Sequence, residues 1–282
     1  MKISKVLIAY DGSKCADAAL EDLRRAGLPA KAHVIVMSVI ENWLCDEPLS
    51  IENLELLAED ASERIHSLMP HWSVEPLVSF GSAASALIEK ADEWRPDLII
   101  VGSHGRGAAG RAFFGSVSQK VAHEAHCAVR VARCQPVERG APVRLVVGVD
   151  GSKGAEAAIG AVGERQWPRG SEARIVNASS KIDASAPGKT LAHFSEWDAV
   201  ARGRSERMLE SAAEKLQAAR LATSVVMEEE EPKRLLLSEA ENWGADSIFV
   251  GARGLGGFGR CLLGSVSSAV AARAHCSVEI VR

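Results

Sequence analysis

Two stretches of this 282-residue chain repeat one glycine spacing: VGSHGRGAAGRAFFGSVSQ at Val101–Gln119 and VGARGLGGFGRCLLGSVSS at Val250–Ser268, identical at ten of nineteen aligned positions. Gly102, Gly105, Gly115 and Ser116 in the first copy, and Gly251, Gly254, Gly264 and Ser265 in the second, share the spacing G-x2-G-x9-G-S. The chemistry this fits is phosphate binding. Glycine lets backbone N–H groups approach an anion, and a helix N-terminus just beyond the loop attracts the same charge. Ser116 and Ser265 stand where the next helix starts and are expected to cap it and to offer a hydroxyl to an oxyanion, with Val117-Ser118 and Val266-Ser267 completing the first turn. GRGAAG at 105–110 and GLGGFG at 254–259 also fit G-x-G-x-x-G, but they follow a fourth strand rather than the first, and no Gly-Lys-Ser/Thr closes either loop. The dinucleotide and Walker patterns are therefore poor fits.

A second repeated element lies upstream. KVLIAYDGSK and RLVVGVDGSK each end an apolar run on Asp-Gly-Ser, giving Asp11-Gly12-Ser13 and Asp150-Gly151-Ser152. Asp-Gly-Ser is ordinary turn and cap chemistry; beside a phosphate loop the aspartates are also candidate ligand contacts. His104 and Arg106 of the first loop are answered by Arg253 and Leu255, so the two sites are expected to differ. No orienting partner marks His104 as a catalytic base, and no nucleophile–base pair stands beside the loops, so any hydrolysis is expected to be slow and incidental. Arg111 and Arg260, equivalent within the loops, are candidates to reach a terminal phosphate or a neighbouring subunit.

The elements that must position these residues alternate regularly. In the first half, strands at 32–39, 74–80 and 97–102 alternate with helices at 51–68 and 83–94. In the second, strands at 173–178, 223–228 and 246–251 alternate with helices at 195–219 and 233–243. A helix and a closing strand follow each glycine loop. The order is β-α-β-α-β-α-β-α-β twice, which predicts two tandem doubly wound, five-stranded, mainly parallel α/β sheets with ligands at the carboxyl ends of their strands. The offset between halves grows from 139 residues at the aspartates to 149 at the glycines, and the extra ten are placed in the Ser/Ala/Pro/Gly stretch 178–194 as a loop insertion. Domains are expected at 1–134 and 142–282, with CQPVERGAP between them.

Composition sets the class. Apolar content of 47%, charged content of 25% and a net charge of −4 describe a globular chain with no basic face for nucleic acid and no membrane-length apolar run. Six scattered cysteines without CxxC, and a start without a leader-like pattern, fit a cytoplasmic protein with reduced thiols. His126-Cys127 and His275-Cys276 read as helix ends entering buried strands rather than metal ligands. Trp94 and Trp243 read as packing residues.

The glycine spacing, present twice with an Asp closing each first strand, resembles the ATP-binding signature of the universal stress protein family across nearly the whole chain. The resemblance implies an adenine nucleotide alpha hydrolase-like fold that holds ATP, or AMP or ADP, with Mg²⁺ carried through the phosphates. It places Asp11 and Asp150 against the base, backbone at Val39 and Ala178 in contact with it, and the glycines and serines around ribose and phosphates. It also implies that the two halves pack as a pseudo-twofold pair through their last strands, 128–132 and 277–281, that a second chain completes a homodimer, and that occupancy regulates a protein partner. The Gly81 expected after the third strand is matched by Glu230 in the acidic run 228–231, which raises the expectation of a weaker, or decayed, second site unless those carboxylates point outward or hold a cation. Two other readings stand beside the stress-response module: a nucleotide-dependent enzyme or flavin-binding electron carrier of related architecture, and a structural interaction module.

Overall fold

The structure, a computed structural model, describes residues 3–41, 51–105, 114–133, 140–179, 191–255 and 263–282. The first half runs β1 (Lys5–Ala9), α1 (Lys14–Asp22), β2 (His33–Ile40), α2 (Ile51–Leu68), β3 (Ser73–Phe80), α3 (Ala83–Trp94), β4 (Leu98–Gly102), α4 (Ser116–Glu124) and β5 (Ala128–Ala132). The second repeats it as β6 (Arg144–Gly148), α5 (Lys153–Gly163), β7 (Glu172–Ala178), α6 (Leu191–Ala218), β8 (Ala222–Glu228), α7 (Pro232–Trp243), β9 (Ser247–Gly251), α8 (Ser265–Arg273) and β10 (Ser277–Val281). The apolar runs predict β1, β4, β6 and β9 because both faces of such strands are covered by helices, and in each of the four the central residues are buried.

The strands form one ten-stranded sheet in the order β3-β2-β1-β4-β5-β10-β9-β6-β7-β8. Pairing is parallel throughout each half, and the halves join where β5 meets β10 antiparallel, Arg130 opposite Glu279. The sequence reading of two five-stranded sheets thus becomes one continuous sheet with a pseudo-twofold axis at its centre. Within each half the order reverses between β1 and β4, or β6 and β9, because β2 and β3 extend one way and β4 and β5 the other. Because the halves are antiparallel, the carboxyl ends of their strands face opposite edges of the sheet.

Side-chain alternation sorts the core. Val129, Val131, Val278 and Ile280 enter one cluster that runs beneath α3, α4, α7 and α8 across both halves. The opposite face has separate clusters under α1 and α2 and under α5 and α6. Between them, at the axis, Arg130 and Glu279 point together into a fully buried ion network. Arg130 donates to Asp22 of α1 through Nε (2.5 Å) and Nη2 (3.0 Å), to Ser247 Oγ (2.8 Å) and to Glu279 (3.4 Å). Arg165 closes it by donating to Glu279 and to the Ala26 carbonyl (2.7 Å). Arg130 and Glu279 are equivalent positions with opposite charge. Each already has a counter-ion from its own half, Asp22 for Arg130 and Arg165 for Glu279, and the join brings the two pairs into one network.

The linker residues 134–139 and most of the predicted insertion, 180–190, lie outside the described residues. Within them, α6 begins at Leu191 and is 28 residues long against 18 for α2, so part of the stretch read as loop is helix.

Candidate functional site

Two cavities of the size that holds small ligands lie at the order reversals, one of about 600 Å³ in the first half and one of about 440 Å³ in the second. The first is lined by Asp11, Val39, Gly102, His104, Gly105, Gly115, Ser116, Val117 and Ser118 among others. The second is lined by the equivalent Asp150, Ala178, Gly251, Arg253, Gly254, Gly264, Ser265, Val266 and Ser267, and by Ser152. Gly12, Ser13 and Gly151 line neither of these two cavities, and Arg106, Arg111 and Arg260 lie outside the described residues.

The aspartates are held by the turn that follows the first strand of each half. Asp11 Oδ1 accepts the Ser13 N–H at 3.0 Å, and Asp150 Oδ1 accepts the Ser152 N–H at 2.9 Å. Gly12 and Gly151 make that turn possible with φ of 71° and 81°. Ser13 and Ser152 then cap α1 and α5, each accepting an N–H three residues on at 3.2 Å, and their hydroxyls reach the carbonyls of His104 (3.5 Å) and Arg253 (3.3 Å) in the glycine loops. Turn chemistry and cavity lining thus coexist: Oδ1 is occupied by the turn while the carboxylate still faces the cavity.

The other oxygen explains one glycine of the spacing. A Cβ on Gly105 would stand 2.9 Å from Asp11 Oδ2, and one on Gly254 would stand 2.5 Å from Asp150 Oδ2. In the second half the Leu255 N–H donates to Asp150 Oδ2 at 3.3 Å. Gly102, the last residue of β4, is needed for a different approach, since its Cβ would lie 2.9 Å from the Cys15 carbonyl at the start of α1. The first two glycines of the spacing therefore let strand, loop and aspartate meet.

The third glycine corrects the capping expectation. Gly115 and Gly264, in extended conformation (φ −62° and −64°), are the N-cap residues of α4 and α8, with their N–H groups bonded to Ser103 and Ala252 carbonyls at 2.9 and 2.8 Å. Ser116 and Ser265 are the first helical residues. They cap nothing, are exposed, and line the cavities. The buried hydroxyls of Ser118 and Ser267 turn back instead, to the Gly102 carbonyl (2.6 Å) and to the Ala252 (3.0 Å) and Gly264 (3.1 Å) carbonyls, pinning the helix start onto the strand end. Helix geometry leaves the N–H groups of residues 116–118 and 265–267 without intrahelical acceptors, so each cavity ends in an electropositive helix start.

The cavities are not copies. Where the second presents Arg253, the first presents His104, whose Nδ1 lies 3.0 Å from Ser103 Oγ and whose buried Nε2 has no hydrogen-bond partner among the described residues. Burial, helped by the charge of Arg133, holds the His104 pKa below its ordinary value, so the ring is neutral near pH 7. Sequence reasoning missed Tyr10 and Glu41, which line only the first cavity; Glu41 accepts the Ala83 N–H at the start of α3 (2.7 Å). It also misjudged where an extra carboxylate would fall. Glu228, Glu229 and Glu231 are exposed and Glu230 half-buried, none of the four lines the second cavity, and Glu231 and Glu230 pair with Lys233 (2.7 Å) and Arg234 (3.4 Å). Among the described residues no group of acids, histidines and cysteines has the makings of a metal site.

Comparison with known proteins then decides the family: matches to the universal stress protein family cover residues 2–133 and again 143–282. The chain belongs to the universal stress protein family. A universal stress protein of Mycobacterium tuberculosis is 31% identical over 246 residues, covering 85% of this chain and 78% of the relative. One from Mycolicibacterium smegmatis is 27% identical over 98% of this chain and 96% of its own length. Among solved structures, a universal stress protein from Archaeoglobus fulgidus superposes with a TM-score of 0.67 at 22% identity, covering 99% of this chain and 96% of that one. Full-length coverage at that score fixes the fold as that of this family, repeated twice. Among the described residues no helix is long and apolar enough to cross a membrane.

Proposed function

We propose that this universal stress protein binds an adenine nucleotide in each half, ATP above all with AMP or ADP as alternatives, and acts as a cytoplasmic nucleotide-dependent regulatory module rather than as a fast enzyme. The observation that carries this reading is the doubled cavity. At both order reversals an aspartate, a close-packed glycine pair and a free helix start converge on a space of ligand size. In this reading the base lies by Asp11 and Val39, or Asp150 and Ala178, the phosphates lie on the first turns of α4 and α8, and Mg²⁺ arrives with them. The binding units are residues 1–134 and 142–282. Four carboxylates that face away from the second cavity support two working sites rather than one decayed one. A homodimer and a protein that reads the occupied state complete the proposal.

The test uses the third glycine, where a side chain would press on loop backbone: a Cβ on Gly115 would lie 3.3 Å from His104 Cα and Ser103 O, and one on Gly264 3.2 Å from Ala252 O. Gly115→Val and Gly264→Val are each expected to remove one site in a titration with fluorescent ATP, and the double variant both. Unchanged binding in both single variants would overturn the assignment.

A further inference from the structure

The antiparallel join has a consequence for the two phosphate helices. It sets the residue after β5 beside the residue before β10, where α8 ends, and the residue after β10 beside the end of α4. Arginines stand at both places. Arg133 donates from Nη2 to the Ala271 carbonyl (2.5 Å) in the last turn of α8 and from Nη1 to the Cys276 carbonyl (3.4 Å), while its N–H donates to Ser277 Oγ (2.9 Å). Arg282 donates from Nη2 to the Ala122 carbonyl (2.6 Å) in the last turn of α4 and from Nη1 to the Cys127 carbonyl (2.9 Å). Each residue of one set lies 149 positions from its counterpart, so this is one contact made twice, and both times it crosses between halves.

The helices gripped are the two whose first turns line the cavities. Nine residues make each a rod of about 13 Å, too short to bend, so holding its last turn fixes where its first turn sits. A guanidinium on the last carbonyls also complements the helix dipole at the end opposite the one that meets the phosphate. Each arginine is at the same time near its own half's loop: the charge of Arg133 acts on His104, and that of Arg282 meets the charge of Arg253.

We propose that Arg133 and Arg282 are positioning residues, each setting the phosphate helix of the opposite half, so that neither site is complete without the other half of the chain. The role assigned to the sites rests on the nucleotide-binding reading above; the crossed positioning itself rests on the hydrogen bonds alone.

Two measurements on the full chain separate these. Without ligand, amide hydrogen exchange followed by mass spectrometry should show Arg282→Gln speeding exchange in residues 116–124 while leaving 265–273 unchanged, and Arg133→Gln doing the reverse. Arg282→Lys and Arg133→Lys, which keep the charge, should recover much of the protection. Loss of protection in the arginine's own half, or equally in both, would overturn the proposal. With Mg-ATP as the probe, Arg282→Gln in the Gly264→Val background should weaken the remaining first site roughly tenfold, the scale of one lost charged hydrogen bond; in the Gly115→Val background, where Arg282 bears on the second site only through its charge on Arg253, the loss should be clearly smaller. An equal or larger loss at the second site would also overturn it. Crossed exchange in a protein that binds no ATP would uphold the positioning and refute the nucleotide reading.

Discussion

Replacing Arg130 by methionine removes the cation at the centre of the join and leaves its partners in place. Arg130 is fully buried and makes four hydrogen bonds, two of them to Asp22. In the native protein the buried set comprises two guanidinium groups, Arg130 and Arg165, and two carboxylates, Asp22 and Glu279. After Arg130→Met, Glu279 keeps Arg165 and, among the described residues, Asp22 keeps the Ser277 hydroxyl at 2.8 Å, so one negative charge is left uncompensated out of water. Breaking a buried pair in this way costs about 3–5 kcal/mol, a large share of the roughly 5–15 kcal/mol that holds a typical domain folded. Urea unfolding should report that loss. Adding Asp22→Asn removes the stranded charge and should return the double variant to within about 2 kcal/mol of wild type, so the two substitutions should be strongly non-additive. A loss below about 1 kcal/mol for Arg130→Met, or an Asp22→Asn that adds to the loss instead of reversing it, would refute the reasoning from uncompensated charge.

Further outcomes follow from the cavities and the core. Gly105→Ala and Gly254→Ala each force the facing aspartate to move, and each should weaken nucleotide binding at its own site by about tenfold in titration calorimetry, with the other site unchanged. His104 has a depressed pKa in the folded chain, so below its unfolded value of about 6.5 the unfolded state holds more protons and stability falls as the pH drops; denaturation at pH 7.5 and 5.5 should show that part of the loss disappearing in His104→Gln. A phosphate beside the ring favours its protonated form, so affinity at the first site should rise from pH 7.5 to 6 relative to His104→Gln, whereas the second site, with Arg253, should not follow. Burial pushes the thiols of Cys127 and Cys276 up to about 11 and about 12, so peptide mapping after iodoacetamide at pH 8 should find both unmodified in the native protein and labelled after unfolding.

The element order was legible because helix and strand periods alternate cleanly, and because each half checks the other: β4 and β9, or α3 and α7, appear at equivalent places. The glycines of the spacing were legible as neighbours lining one cavity because they meet over short connections. What stayed hidden depends on tertiary contacts, from 16 residues apart at Ser118 and Gly102 to 108 at Asp22 and Arg130. The capping role of Gly115 over Ser116 follows from Ser118 reaching back to Gly102, which no local pattern encodes. The ion network looked like scattered charges, yet a signal was present: CAVRVAR and CSVEIVR carry Arg130 and Glu279, opposite charges at one equivalent position in otherwise apolar strands. A lone charge in a buried strand calls for a partner; Asp22 and Arg165 supply it within each half, and the join links the two pairs. The acidic run misled because spacing gives position along a chain and not direction: Glu230 matches Gly81 in register, but its side chain turns to Arg234.

Calorimetric titration of the purified, nucleotide-stripped chain with Mg-ATP tests the central claim most directly, because it reads affinity and stoichiometry together. The account predicts two nucleotides per chain, bound with different affinities because His104 faces one and Arg253 the other. No heat of binding at millimolar ATP would contradict it, and would leave the two cavities to another ligand.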